Sequence, residues 1–163
     1  MRARNRGGRR RPAGYHLVAG IDLDREMRRL CALPVFGGGD GELACKPPDL
    51  AVRRASRRPR SNLGFAVPDE RRISVTAYPG IRPGDALEVL LHELVHIAVG
   101  PRGRSWHGRL FRQTLSEAMW EAYRVRAASA NGSIHGAYAE ALERQLRKRA
   151  RLHPGQLSLD IAA

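Results

Sequence analysis

Cysteine is scarce in this chain of 163 residues, which has two, Cys31 and Cys45, and no CxxC pair. A chain of this length can bury a hydrophobic core of its own and does not need a framework of disulfides. Structural zinc sites usually take several cysteine ligands close together in the sequence. The cysteine content therefore excludes a disulfide-rich scaffold and argues against a structural metal site built on cysteine.

Long apolar runs are also absent. No stretch approaches the ~18 consecutive apolar residues that a membrane-spanning helix requires. Residues 13–21 are largely apolar, but they are few, and Asp22 and Asp24 follow within three residues, which does not fit the hydrophobic core of a signal peptide. We therefore expect a cytoplasmic protein without a membrane partner.

Acidic residues are few: 16 Asp and Glu stand against 29 Lys and Arg, and the formal net charge is +13. Residues 1–12 contain six arginines and no acid. Such a charge favours contact with a polyanion. We expect this partner to be DNA, bound by the basic surface and the N-terminal arm. The alternative is a compositional preference for arginine, because only Lys46 and Lys148 are lysines. The pattern singles out no individual nucleic-acid-binding residue.

The chain divides into three parts by composition. Residues 1–12 are predicted to be a disordered basic arm, with an incorrectly assigned start codon as the alternative. Residues 13–152 are predicted to form a single domain, and residues 153–163 a flexible tail. The hydrophobic share of 42% and the charged share of 28% are ordinary for a globular protein.

A helix and then a small sheet are predicted in the first half of the domain. Residues 22–33 fit a short helix with Asp22 as its N-cap and Cys31 as a core residue. Residues 63–67 and 72–78 fit two antiparallel strands joined by a turn, after a shorter extended stretch around Leu50–Ala55. In the second strand the alternation predicts one buried face, and a wet face formed by Arg72, Ser74 and Thr76.

Helices are predicted over residues 86–99, 106–128 and 135–151, which makes the fold α+β. Asp85 is the expected N-cap of the first of these helices. This helix is apolar nearly all round, as is typical of a central, buried helix. On the second helix the large side chains at helical spacing are expected to pack in the core, and they are Trp106, Phe111, Met119 and Trp120.

Polar residues interrupt the buried helix in the stretch LLHELVHIA, where His92, Glu93 and His96 form an HExxH motif. Residues four apart lie on the same face of a helix, so the two imidazoles can bind one zinc ion. Glu93 lies on an adjoining side, within reach of a water on the metal, as the general base of a metallopeptidase requires. Unpaired, these side chains would be costly to bury, and a metal gives them a common partner.

A catalytic zinc usually has a third protein ligand. His107 is the best candidate, because Gly100, Pro101 and Gly103 allow the chain to double back and bring it towards the HExxH helix. Glu117 or Glu121 would instead give a site of two histidines and a glutamate. The further histidines His16, His135 and His153 lie near glycines or in tails and are expected at the surface.

These residues together resemble a known family. The order LGFAV, RISVTAYPG, DALEVLLHELVHIAVG and HGRLF, over about residues 50–125, is similar to the SprT-like metallopeptidase domain. The resemblance implies a zincin-like minimal fold, in which a small antiparallel sheet packs on the central HExxH helix with further helices around it. It also implies a zinc peptidase with His92, His96 and His107 as ligands and Glu93 as base.

Substrates are implied as well, because the best-understood members of that family cleave proteins crosslinked to DNA. This chain lacks the paired cysteines of the C-terminal zinc ribbon that many members carry, which favours a compact version, bacterial or phage-encoded. We therefore expect a zinc endopeptidase acting on proteins or peptides near DNA. The alternatives are a zinc peptidase with no nucleic-acid role, and a non-catalytic DNA-binding protein with a structural zinc held by four ligands.

Overall fold

A computed structural model describes residues 14–100, 106–128 and 134–152. The proposed arm, residues 1–12, and the proposed tail, residues 153–163, therefore lie outside the described residues. The fold is mixed α+β, as predicted. Its elements are β1 (Leu17–Val18), β2 (Ile21–Asp22), α1 (Leu23–Cys31), α2 (Glu42–Cys45), β3 (Asp49–Arg54), β4 (Gly64–Val67), β5 (Arg72–Ala77), α3 (Pro83–Val99), α4 (Arg109–Tyr123) and α5 (Ala139–Leu152).

The main sheet has three strands in the order β3-β5-β4. β4 and β5 pair antiparallel, as predicted, across a short turn that ends at Arg71 in the left-handed region. Because β3 pairs with β5 in parallel, the sheet is not the purely antiparallel one that was predicted. The β3–β4 connection crosses from one edge of the sheet to the other and reverses the direction of the chain. β5 lies between these two strands, antiparallel to β4 and therefore parallel to β3. A separate antiparallel ribbon joins β1 to β2.

The face of β5 that was expected to be wet is largely covered. Ser74 and Thr76 are 2% and 7% exposed, so the prediction for these two residues is wrong, whereas Arg72 is exposed. Ser74 is in register with Phe65 on β4, and Thr76 is in register with Arg53 on β3, and residues in register share a face of the sheet. The Arg53 guanidinium lies 5.9 Å from the centre of the Phe65 ring, so the two side chains meet over the central strand and cover it.

The long helix α3 begins earlier than predicted. Its N-cap is Arg82, and Pro83 is its first residue, where a missing N–H costs nothing. Asp85 is the third helical residue instead of the cap, and its carboxylate accepts hydrogen bonds from the Arg82 guanidinium at 2.8 and 3.1 Å. These hydrogen bonds lower the pKa of Asp85. The helix ends at Val99, followed by Gly100 with φ of 67°, which agrees with the predicted stop.

Helix α3 is the centre of the domain. It packs against α1, β4, β5, α4 and α5, and nearly all of its first fourteen residues are buried. Helix α1 starts at the predicted cap, since Asp22 accepts the N–H groups of Asp24 and Arg25, and Cys31 is fully buried in the core. No helix of the described ranges is long and apolar enough to cross a membrane.

Helix α4 is shorter than predicted and leaves two large side chains outside the core. Phe111 and Met119 are buried, as predicted, but Trp106 and Trp120 are 52% and 43% exposed, and the prediction of core packing is wrong for both. The Trp120 ring packs against the Arg126 guanidinium at 4.9 Å instead of the core. Trp106 precedes the helix and lies beside the ring of His96.

Candidate metal centre

The HExxH residues lie in the C-terminal half of α3. His92 and His96 are one turn apart on the same side of the helix, and they are 3% and 9% exposed. Their Nε2 atoms are 3.2 Å apart. The helical spacing seen in the sequence therefore brings two imidazole nitrogens to one point.

His107 reaches the same point from the turn that precedes α4. Its Nε2 lies 3.0 Å from that of His92 and 3.1 Å from that of His96. The ring of Phe111, one turn into α4, packs on all three imidazoles at centroid distances of 4.9, 4.4 and 4.9 Å. Because Phe111 is buried between α4 and α3, the packing of these two helices places His107 opposite the motif.

The three imidazoles form a group that could hold a metal ion. Each neutral ring has one Nε2 that either carries a proton or does not, so at least two of the three must be in the same state. Two like nitrogens about 3 Å apart cannot hydrogen-bond to each other, and an ion among the three removes this conflict. Nitrogens bound at 2.0–2.1 Å to one tetrahedral ion are about 3.3–3.4 Å apart, only slightly farther than those observed here.

Their surroundings keep the three rings neutral, as metal ligation requires. Burial lowers the pKa of His92 to about 2, and the neighbouring histidines His96, His135 and His107 lower it further. Burial also lowers the pKa of His96 to about 4, and that of His107 in the same direction. Proton competition for these nitrogens is therefore weak near neutral pH.

The other ring nitrogens are held differently from those of most metal-binding histidines. Nδ1 of His92 and Nδ1 of His96 are buried without a hydrogen-bond partner in the described part of the chain. A ligating histidine usually donates this N–H to a carboxylate or carbonyl, which orients the ring. Here the imidazoles are oriented by packing against the ring of Phe111 and the buried core around α3.

Glu93 is buried beside the histidines, with 6% of its surface exposed. Burial raises the pKa of its carboxyl to about 8, and no hydrogen bond from a described residue opposes the rise. The backbone of Gly64 on β4 approaches it closely, since a Cβ atom at position 64 would lie 2.9 Å from Cγ of Glu93 and 2.6 Å from Val89. The sheet and the helix therefore fix this carboxylate together.

A cleft of about 380 Å³ opens beside the centre. It is lined by His92, Glu93 and His135 and by the β3–β4 connection, including Arg58 and Arg60. His96 and His107 are not part of its lining. The cleft therefore reaches the centre on the side of Glu93 and His135.

His135 is the residue of this site that the sequence did not indicate. Its side chain is exposed, as predicted, but its ring packs against His92 at 4.6 Å and His107 at 5.3 Å. It comes from the segment before α5, far along the chain, and a histidine next to a glycine in a loop gives no signal of such a contact. Glu88, one helical turn before His92, accepts backbone N–H groups next to His135, but this contact could be predicted only with the position of α5 known.

The other candidate ligands lie elsewhere. His16 is hydrogen-bonded to the Leu50 carbonyl. Glu117 is exposed and accepts a hydrogen bond from Gln113, and Glu121 accepts the Val35 N–H at 3.0 Å. Among the described residues, the one group of possible ligands within 4.8 Å of one another is His92, His96 and His107.

Searches against models of protein families, curated proteins and solved structures found no match to this chain.

Proposed function

We propose that this protein is a zinc-dependent endopeptidase. The observation that carries the proposal is the convergence of three imidazole nitrogens beside a cleft that His92 and the buried carboxylate of Glu93 line. Three histidines and an open approach are the arrangement of a catalytic zinc site, whereas a structural site is closed by four protein ligands. The resemblance to the SprT-like domain supports the same four residues.

Zinc bound to His92, His96 and His107 would supply Lewis acidity, polarising the scissile carbonyl and lowering the pKa of water. Glu93 takes a proton from the attacking water at its carboxylate as the water oxygen bonds to the carbonyl carbon. The same carboxyl then delivers that proton to the amide nitrogen as the C–N bond breaks. Burial raises the pKa of this carboxyl in the metal-free protein, and a nearby cation would lower it again, towards the ionised form that a general base requires.

Metal content and proteolysis test this proposal together. The zinc-loaded chain should contain one zinc and cleave unfolded casein, and Glu93→Gln should keep the zinc while cleavage falls by at least about 100-fold. Glu117→Gln is the matched control, since Glu117 is exposed on α4, away from the cleft. A Glu93→Gln protein that cleaves casein as fast as the wild type would rule the mechanism out.

A DNA-associated substrate is the second part of the proposal, and the charge around the cleft favours it. Residues 50–68 contain no acid, and five exposed arginines lie in this stretch, two of which line the cleft: Arg53, Arg54, Arg57, Arg58 and Arg60. Phosphate contacts to DNA weaken steeply with salt. The alternative, a peptidase with no nucleic-acid role, predicts no DNA binding even at low salt.

Salt titration of DNA binding separates these two possibilities. Removing two phosphate contacts with Arg57→Ala/Arg60→Ala should flatten the dependence of log K on log salt by about two. The double variant Arg28→Ala/Arg72→Ala removes the same charge from arginines that are paired with Asp24 and Glu70, and it should change the slope less. Equal slopes for the two double variants would count against an interface at the β3–β4 connection.

A further inference from the structure

His135 lies against the metal centre without belonging to the ligand group. Its ring is tilted by 32° from that of His92, with the centroids 4.6 Å apart. It is not among the residues whose ligand atoms all lie within 4.8 Å of one another, unlike His107, whose Nε2 is 3.0 Å from that of His92.

A buried carboxylate fixes the turn that carries His135. Glu88, one helical turn before His92 on α3, accepts the N–H of Gly136 and the N–H of Tyr138, the latter at 2.8 Å. Gly136 has φ of 81°, a conformation that suits glycine. Since Glu88 is 4% exposed and Tyr138 is 5% exposed, the turn is anchored in the core although His135 itself is exposed.

Glu93 and His135 line the same cleft but come from different elements. The Glu93 side chain lies against Gly64 on β4, whereas His135 is on the segment before α5. A peptide in the cleft would contact both side chains. Glu93 can act as the base for the attacking water, and the carbonyl oxygen needs a hydrogen-bond donor. An imidazole, neutral or protonated, carries at least one N–H.

We propose that His135 is a further catalytic residue, which donates an N–H hydrogen bond to the scissile carbonyl oxygen as that oxygen gains negative charge. The inference rests on the proposed peptidase function. When the water oxygen bonds to the carbonyl carbon, the π electrons of the C=O bond move to its oxygen, and the donor stabilises them there. His135 keeps its proton throughout, and the proton lost by water travels through Glu93 to the leaving nitrogen.

Metal binding gives a readout that needs no substrate. We expect His135→Ala and His135→Gln in the full chain to bind zinc within about threefold of the wild-type affinity, and to give the wild-type visible spectrum when loaded with cobalt(II). Loss of a ligand would change both quantities, because the coordination number of the ion would change. A changed cobalt spectrum, or an affinity lowered more than about tenfold, would make His135 a fourth ligand, overturn the inference and favour a closed structural site.

Kinetics then test the donor role on a peptide that spans the first cleavage site found in casein. Removal of one oxyanion donor typically lowers kcat by about 100- to 1000-fold. We expect a loss of this size for His135→Ala with KM within about threefold, and a smaller loss for His135→Gln, whose amide can donate. His16→Ala is the matched control, because His16 is bonded to the Leu50 carbonyl outside the cleft.

Three outcomes keep this inference separate from the proposed function. A wild-type protein that cleaves no better than Glu93→Gln overturns the peptidase and this inference with it. An active wild type with His135→Ala within about threefold in kcat overturns the role of His135 alone. If His135→Ala does not fold, as its circular dichroism would show, His135→Gln decides, and a Gln variant with KM raised but kcat unchanged assigns His135 to substrate binding only.

Discussion

Helix α3 carries two buried carboxylates with opposite surroundings. Glu88, in the first half of the helix, is 4% exposed and accepts backbone N–H groups from Gly136 and Tyr138. Glu93, in the second half, is 6% exposed and accepts no hydrogen bond from a described residue. Burial raises the pKa of both, but at Glu88 the backbone donors oppose the rise.

The polar groups in the first half of α3 stabilise the fold, whereas those in the second half form the candidate site. In the first half the polar groups are satisfied within the protein, since Asp85 is bonded to Arg82 and the N–H of Gly84 is bonded to buried Glu143 on α5. In the second half, the buried Nδ1 atoms of His92 and His96 have no hydrogen-bond partner among the described residues, and Glu93 accepts no hydrogen bond from them. Buried polar groups without partners are costly, and they persist where function requires them.

The largest effect on the difference between the two halves of α3 is expected from removing the carboxylate of Glu88. We expect Glu88→Ala to lower the free energy of unfolding by about 2–4 kcal/mol, because it leaves two N–H groups next to the core without an acceptor. Chemical denaturation of the zinc-free protein measures this loss. The control Glu140→Ala removes an exposed carboxylate that is paired with Arg82, and it should cost less than about 1 kcal/mol. Equal losses of unfolding free energy for the two variants would show that the buried hydrogen bonds of Glu88 stabilise the fold no more than the exposed ion pair of Glu140 does.

Much of this architecture could be predicted from local patterns. The apolar periodicity of α3, the cap at Asp22 and the stop at Gly100 act within a few residues, and the observed elements agree with them. The start of α3 and the covered face of β5 could not be predicted, since the first depends on the pair Arg82–Asp85 and the second on side chains of both neighbouring strands. Arg82 is also paired with Glu140 on α5, and Arg53 and Phe65 come from the two outer strands, so partners that are distant in sequence contribute to both features.

The candidate centre shows the same limit. His107 could be predicted because it follows His96 by eleven residues across a glycine-containing turn. His135 could not, because its position depends on Glu88 holding the start of α5 against α3. The pattern of the motif indicates the three candidate ligands, whereas long-range packing places His135 beside them.

A second prediction concerns the pH dependence of stability that the Glu93 carboxyl causes. In the metal-free protein the folded state holds a proton on Glu93 up to about pH 8, whereas the unfolded chain releases it near the ordinary value of 4.5. The folded state therefore binds more protons between these values, and this carboxyl makes stability fall as the pH rises from 4.5 to 8. Glutamine resembles the protonated form and does not titrate, so Glu93→Gln should match the wild type at pH 4.5 and exceed its stability at pH 8 by about 1–3 kcal/mol.

Thermal unfolding of the two metal-free proteins across this range measures the effect, and the histidines cancel because both proteins contain them. Zinc should narrow the gap at pH 8, since a nearby cation favours the ionised carboxylate. A gap of the same size at pH 4.5 and pH 8 would mean that folding does not raise the pKa of Glu93.

The smallest effect is expected at Phe111, whose ring takes the place of the hydrogen bonds that usually orient metal-binding histidines. Phe111→Leu keeps the position apolar but removes the flat surface on which His92, His96 and His107 pack. We expect zinc affinity to fall by roughly tenfold, the lower end of what loss of an orienting partner costs. Competition with a chelator under conditions where both proteins are folded measures it, and Leu110→Ala, at the exposed neighbouring position, is the control. If zinc affinity does not change, the core around α3 orients the imidazoles without this ring, and the contrast between the two halves of the helix lies in Glu93 and the histidines alone.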